Sequence, residues 1–303
     1  MTKNFPYVLG MLITIALGMF LYFTLCSDCQ VPIAEVQPLK EETVPIPEPQ
    51  ATSFPFTLND GDFTYGVNDN FNFNLSSNTV LLPLSENVKN GVLRLKDYLS
   101  ANTDKAINMT GLYQSSEDNT SAFPNLGLAR ANAVKNYMVA QGISSTQTNT
   151  FGQLMNDLVP LDNTLLGPVT YEITEGNKDN KADLKALYDD IKTNPLVLYF
   201  DTGEAAINLT EAQRQKVANI SRYLDKVDGA RCKIVGHTDN TGNRITNITL
   251  GQERADFAMA YLIRNGIPAE KINSTSKGPD VPIASNNTEE GRSKNRRTVV
   301  TLN

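Results

Sequence analysis

The chain repeats itself, and the repeat limits what it can fold into. LSENVKNGVLRLKDYL (Leu84 to Leu99) returns as LTEAQRQKVANISRYL (Leu209 to Leu224), an offset of 125 residues. Such self-similarity points to one supersecondary unit used twice. Both segments read as amphipathic helices, with Val88, Val92, Leu95 and Leu99 in one apolar stripe and Val217, Ile220, Leu224 and Val227 in the other. Ser85 and Thr210 stand at the helix starts, and Thr210 with Gln213 fits a capping box. The alternating runs KAINMTG (Lys105 to Gly111) and RCKIVGH (Arg231 to His237) predict strands, with Cys232 in the place of Ile107 and Ile234 in that of Met109. A second helix follows in each copy, LGLARANAVKNYMVAQGI (Leu126 to Ile143) and LGQERADFAMAYLIRNGI (Leu250 to Ile267), stopping at Gly142 or Gly266. GPVTYEIT (Gly167 to Thr174) and RRTVVTL (Arg296 to Leu302) supply closing strands. Each copy is then strand, helix, strand, helix, strand, strand: an α+β layer with two helices on one face of a mixed sheet. Between the copies, Asp179 to Asn194 predicts a short connecting helix, and the Asp-rich stretch from Leu58 to Asn70 predicts a turn between strands.

The N-terminus is of another kind. Phe5 to Cys26 is a run of 22 residues without a charge, long enough as a helix to cross a hydrocarbon layer of roughly 30 Å. A signal peptide has a shorter apolar core and a small-residue exit, and a lipoprotein signal places a small residue before its cysteine, where this chain has Leu25 before Cys26 and Asp28 before Cys29. A retained anchor is the reading that fits. Lys3 and the amino terminus precede the span and no basic residue follows until Lys40, which keeps the N-terminus inside and exports the rest. The six prolines from Pro32 to Pro55 favour an extended linker over a packed core. The expected organisation is therefore an anchor at 1–28, a linker at 29–53, a first copy at 54–175, a connecting segment at 176–194 and a second copy at 195–303. A formal charge of −6 and a pI near 5.0 leave no basic face for a phosphate backbone, so nucleic acid is not an expected partner.

The second copy carries GHTDNTGNRITNITLGQERA (Gly236 to Ala255), then RNGI, then GRSKNRRTVV near the end. In that order these motifs resemble the OmpA-like C-terminal domain, a peptidoglycan-binding module, over about residues 196–303. The resemblance implies two tandem OmpA-like βαβαββ domains after a single transmembrane helix. It also implies that Asp239 and Arg254 bind the free ends of diaminopimelate in the stem peptide, helped by Thr238 and Asn247, with Arg296 a further candidate. The implied setting is the bacterial envelope, most simply an inner-membrane anchor with the domains in the periplasm, or alternatively an outer-membrane association.

The chemistry is sound without the family. A diaminopimelate end offers an ammonium and a carboxylate on one carbon; Asp239 can accept from the first and Arg254 can grip the second in a two-pronged charge-assisted bond that Lys cannot reproduce. With its helix starting at Leu250, Arg254 falls in the first turn, where the dipole disfavours a cation and an incoming carboxylate relieves the conflict. Both groups are expected on the surface. Blander readings stand beside these: DNTG (Asp239 to Gly242) as an ordinary turn, Arg254 as a solvated helix residue, Asn247 as a loop brace, and Arg296 and Arg297 as edge charges. His237, the only histidine, reads as structural.

The first copy keeps Gly111, Leu126, Gly127, Arg130 and Ala131, yet reads GLYQ where the second reads GHTD, spans 19 residues from Gly111 to Arg130 against 18 from Gly236 to Arg254, and lacks NRR. Gln114 or Ser115 replaces the carboxylate, so the first copy is expected to be a degenerate structural or protein-binding module. The expected function is a non-catalytic tether between membrane and peptidoglycan. The alternatives are a MotB-like stator or accessory subunit, against which the uncharged span argues, and a protein-binding scaffold. A hydrolase would need a nucleophile with its base, a metal site or paired carboxylates; no catalytic residue, cofactor or metal is expected.

Overall fold

A computed structural model describes residues 5–25, 50–61, 63–176, 181–199 and 208–303. Cys26, Cys29 and most of the Pro-rich linker lie outside the described residues. The chain divides into two compact units, residues 1–48 and 49–303.

The first unit is α1 (Phe5–Leu25), whose stretch Tyr7–Leu25 has the length and apolar composition needed to cross a membrane. Its threonine hydroxyls are satisfied inside the helix: Thr14 Oγ1 donates to Met11 O at 2.9 Å and Thr24 Oγ1 to Phe20 O at 2.8 Å. A lipid-facing helix needs that closure, because hydrocarbon offers no alternative partner.

The second unit is a mixed α+β structure. Its first half runs β1 (Phe56–Asp60), β2 (Phe63–Val67), β3 (Phe73–Asn74), α2 (Glu86–Ala101), β4 (Lys105–Tyr113), α3 (Leu126–Ala140), β5 (Thr148–Leu154), β6 (Thr164–Leu165) and β7 (Val169–Glu175). Its second half runs α4 (Lys181–Thr193), β8 (Leu196–Tyr199), α5 (Glu211–Lys226), β9 (Cys232–His237), α6 (Arg244–Arg264), β10 (Ile272–Gly278), α7 (Glu289–Asn295) and β11 (Arg297–Leu302). In the second half the sheet order is β10-β9-β11-β8, with β9 parallel to β10 and antiparallel to β11. The first half repeats the arrangement as β5-β4-β7, with β4 parallel to β5 and antiparallel to β7. The matched residues Ile107 and Cys232, Met109 and Ile234 are all buried.

Local chemistry accounts for the element ends. Ser85 accepts from Val88 N, and the Thr210–Gln213 capping box is complete on both sides. The expected turn in the Asp-rich stretch is the β1–β2 hairpin, with Gly61 at φ +62°. Here the halves diverge: β8 hydrogen-bonds to β11, whereas β1 pairs with β2 and meets β7 through side chains, Phe56 packing edge-on against Tyr171 at 4.7 Å between centroids. The connecting helix is α4, and it belongs to the second half's packing, with Ile191 buried and Lys192 Nζ donating to Leu302 O at 3.2 Å.

Each half has its own apolar cluster, around Val88, Leu95 and Met138 in one and Val217, Ile220 and Leu262 in the other. Polar contacts join them. Ala122 N donates to Asn265 Oδ1 at 2.8 Å, Asn136 Nδ2 to Gly266 O at 2.8 Å, and the buried Lys135 Nζ meets Asp225 Oδ2 at 2.5 Å.

One close approach recurs. A Cβ on Gly111 would run into the carbonyl oxygen of Gly127, and a Cβ on Gly236 into that of Gly251, so in both halves the central strand touches the following helix backbone to backbone. Gly236→Ala is expected to force helix and strand apart at a cost of about 1–3 kcal/mol, read as a lowered thermal midpoint. An unchanged melt would contradict the close packing.

Candidate ligand-binding site

The site grows from the end of β9. Thr238 N extends the strand by donating to Gly278 O at 2.9 Å, and the chain then turns. Asp239 Oδ1 accepts from Thr241 N at 2.9 Å, and Gly242 sits at φ +90°, a conformation that glycine tolerates. Asn243 caps α6 by accepting from Ile245 N at 2.7 Å. Asn247 Nδ2 reaches back to Thr241 O at 3.0 Å, and Thr238 Oγ1 donates to Asp239 O at 2.8 Å. Both Asn247 and Thr238 are buried, so each builds the loop that presents Asp239; the brace reading of Asn247 is the contact it makes.

Asp239 Oδ2 is held by Arg296 Nη1 at 2.9 Å, and Arg296 Nη2 also reaches Glu289 Oε1 at 2.7 Å. Burial pushes the Asp239 carboxyl up, but the Arg296 guanidinium and the Thr241 N–H and hydroxyl outweigh it and leave it below the usual aspartate range. Arg254, on α6, is pulled down by burial and by the neighbouring Arg296 charge, while Asp239 acts the other way. Asp239, Arg254 and Arg296 therefore form one electrostatic cluster.

Two expectations are corrected. Arg254 is not in a first turn, because α6 begins at Arg244, capped by Asn243, and runs 21 residues. The segment from Arg244 to Thr249 is helical because Asn247 and Ile248 have inward partners, Thr241 O and Gly278 respectively. At the eleventh helical position, counted from Arg244 in that range, the end-of-helix dipole no longer bears on Arg254. Nor are the two charged groups on the surface: Asp239 is 9% and Arg254 5% exposed. Arg296, delivered by the end of α7, closes over Asp239. Arg296 is thus paired to Asp239 rather than solvated at a strand edge, and Arg297 is buried with Nη2 donating to Val281 O at 3.1 Å.

Sequence reasoning missed Glu289, whose only signal is its place seven residues before Arg296 on a short helix. His237 is buried, and burial with the Arg297 and Lys277 charges lowers its pKa to about 4, which leaves it neutral near pH 7.

The corresponding place in the first half is filled from within. Gln114 Nε2 donates to Leu158 O at 2.7 Å and Ser115 Oγ is bound to Asn156 Oδ1 at 2.9 Å, so neither faces Arg130. Glu117 does: its carboxylate pairs with both terminal nitrogens of Arg130 and accepts from Gln114 N at 2.9 Å and Ser76 N at 3.0 Å. Arg130 also donates to Leu112 O at 2.9 Å and Ser77 O at 3.0 Å. A carboxylate was expected to be missing; one is present, supplied three residues later.

The order of elements, the buried acid–base cluster and the loop that carries it coincide with a match to the OmpA family over residues 199–296. The second half contains an OmpA-family domain. Over 103 residues the chain is 36% identical to the probable lipoprotein YiaD of Escherichia coli (strain K12), covering 34% of this chain and 46% of that protein. Over 122 residues it is 34% identical to the peptidoglycan-binding protein ArfA of Mycobacterium tuberculosis (strain H37Rv), covering 40% and 36%. The solved peptidoglycan-associated lipoprotein from Burkholderia pseudomallei is 24% identical, with 35% of this chain and 89% of that chain covered at a TM-score of 0.32. The chain spans less than half the length of the two curated relatives named. All the site residues above lie inside the OmpA-family domain.

Proposed function

We propose that this protein is a non-catalytic tether of the bacterial envelope. Helix α1 holds a membrane; its charge bias keeps the N-terminus inside and exports the rest, a helical span so oriented suits the inner membrane with the second unit in the periplasm, and the OmpA-family domain grips peptidoglycan. Asp239 takes the ammonium and Arg254 the carboxylate of a diaminopimelate end, while Thr238 and Asn247 set the loop and Arg296 positions and partly neutralises Asp239. The observation that carries this reading is the cluster of buried Asp239 and Arg254 with half-buried Arg296 within the OmpA-family domain; a relative named as peptidoglycan-binding supports it.

Residues 54–175 are, in this reading, a degenerate copy of the domain at 195–303. Glu117 occupies Arg130 as a bound carboxylate would occupy Arg254, so the first copy is left for structural or protein contacts.

The test is co-sedimentation of the full chain, in detergent, with purified sacculi. Binding is expected; its absence would reject the tether. The pH profile is a second check. Asp239 is held below the usual range and His237 titrates at about 4, so co-sedimentation should be flat from about pH 5 to 8 and fall only in acid as the carboxyl takes a proton. A step near pH 6.5 would assign the ionisation to another group.

A further inference from the structure

A cleft of about 560 Å³ lies between the two halves of the second unit, walled by the β4–β5 side of the first half and by α5 of the second. That volume falls within the usual range for small-molecule sites. Its chemistry differs from that of the charged cluster around Asp239. On the sheet wall Asn149 Nδ2 donates to Asn108 Oδ1 at 2.8 Å, and on α5 Gln215 Nε2 donates to Asn219 Oδ1 at 3.0 Å. A side-chain amide has two N–H groups and two acceptor lone pairs on its oxygen. Each pair therefore keeps an unspent donor and an unspent acceptor: Asn108 Nδ2 with Asn149 Oδ1 on one wall, Asn219 Nδ2 with Gln215 Oε1 on the other. Asn108, Asn149 and Asn219 are half-buried on regular elements, so these amides are positioned before a ligand arrives. Phe151, on β5 at the cleft, is 48% exposed.

The charges of the cleft cancel. Glu175 and Asp225 line it together with Arg222 and Lys226, two carboxylates to two cations. An ionic ligand would find no net counter-charge. What suits the lining is a neutral molecule rich in groups that both donate and accept, with an apolar C–H face for an aromatic ring. Sugar hydroxyls and acetamido groups are of that kind, the acetamide matching a side-chain amide donor for acceptor. An extended peptide added to the edge strand β5 would use main-chain bonds and have no use for the Gln215–Asn219 pair across the cleft.

We propose that the cleft between the halves is a binding site for a neutral N-acetylated oligosaccharide, gripped by the amide pairs Asn108–Asn149 and Gln215–Asn219 with a sugar ring against Phe151. The full chain in lipid nanodiscs, titrated with chitotetraose by calorimetry, should bind it. Phe151→Ala, at an exposed position that leaves the fold intact, and Asn219→Leu should each weaken binding about tenfold or more, the size of one lost contact. Asp239→Asn should leave it unchanged, since chitotetraose has no stem peptide; this separates the outcome from the fate of the tether reading. Absence of binding, or equal affinity in wild type, Phe151→Ala and Asn219→Leu, would overturn the proposal. So would an extended strand-forming peptide that binds along β5 and displaces the sugar.

Discussion

A chain carrying Arg254→Ala should stay in the supernatant when sacculi are pelleted. Truncating one partner of a desolvated charged contact costs about 2–5 kcal/mol, a fall of roughly thirty-fold or more in affinity. Because Arg254 is only 5% exposed, alanine also leaves a hole, so the informative companion is Arg254→Lys. It keeps the charge and most of the stem but loses the planar fork; weakened binding with an unchanged melt would place the defect in recognition. On the other arm, Asp239→Asn keeps the shape and the Thr241 contact while removing the charge that an ammonium needs. Arg296 retains Glu289 in that variant, so the fold should hold. Both variants should fail to pellet, and with the second-half site disabled no residual binding should come from the first half. Sacculus binding by Asp239→Asn and Arg254→Lys at wild-type strength would reject the proposed pair.

The parts of this molecule legible in its sequence were those set by short-range periodicity. The stripes Val88 to Leu99 and Val217 to Leu224, the Thr210 capping box and the glycine stops at Gly142 and Gly266 all depend on neighbours within a few residues, and the structure has them, with Val227, expected in the second stripe, falling instead at the extended C-cap of α5. The start of α6 was not legible because Ile245-Thr246-Asn247-Ile248-Thr249 is rich in β-branched residues of modest helix propensity and its Asn243 cap sits in a turn-like run; further support comes from Gly278 and the turn at Thr241. Burial of Asp239 and Arg254 was missed for a related reason. The groups that cover them arrive from α7 and Arg296, 57 residues from Asp239, and a seven-residue helix leaves little periodic trace. The motif named the charged pair, but only the fold shows that Asp239 enters the site already paired to Arg296. Glu117 shows the opposite case: aligning the copies pointed to Gln114, while the added residue of the first-copy loop lets the chain place a carboxylate on Arg130 from three positions further on.

That internal pair should be the most destabilising place to cut the first half. Arg130 and Glu117 have side chains 0% and 2% exposed, and removing one partner of a buried ion pair leaves an uncompensated charge at a cost of about 3–5 kcal/mol. Arg130→Ala or Glu117→Ala should therefore lower the thermal midpoint by roughly 6–20 °C for a unit of this size. The double replacement Arg130→Met with Glu117→Leu removes both charges and should cost far less than the sum of the single changes, since a buried pair exchanged for apolar side chains is often near neutral. The acid limb supplies a further reading. Burial raises the Glu117 carboxyl, but Arg130 and the N–H groups of Gln114 and Ser76 outweigh it and leave it below its ordinary 4.5. A depressed carboxyl contributes stability that is fully present above its unfolded value and lost as pH falls through the folded one, so melting midpoints should drop below about pH 4.5 in wild type and drop less in the double variant. Additive single costs, or identical acid limbs, would show that the pair is not coupled. Even with Glu117 removed, Arg254→Ala should not regain sacculus binding, because Gln114 stands where Asp239 does and a neutral amide cannot compensate a desolvated ammonium.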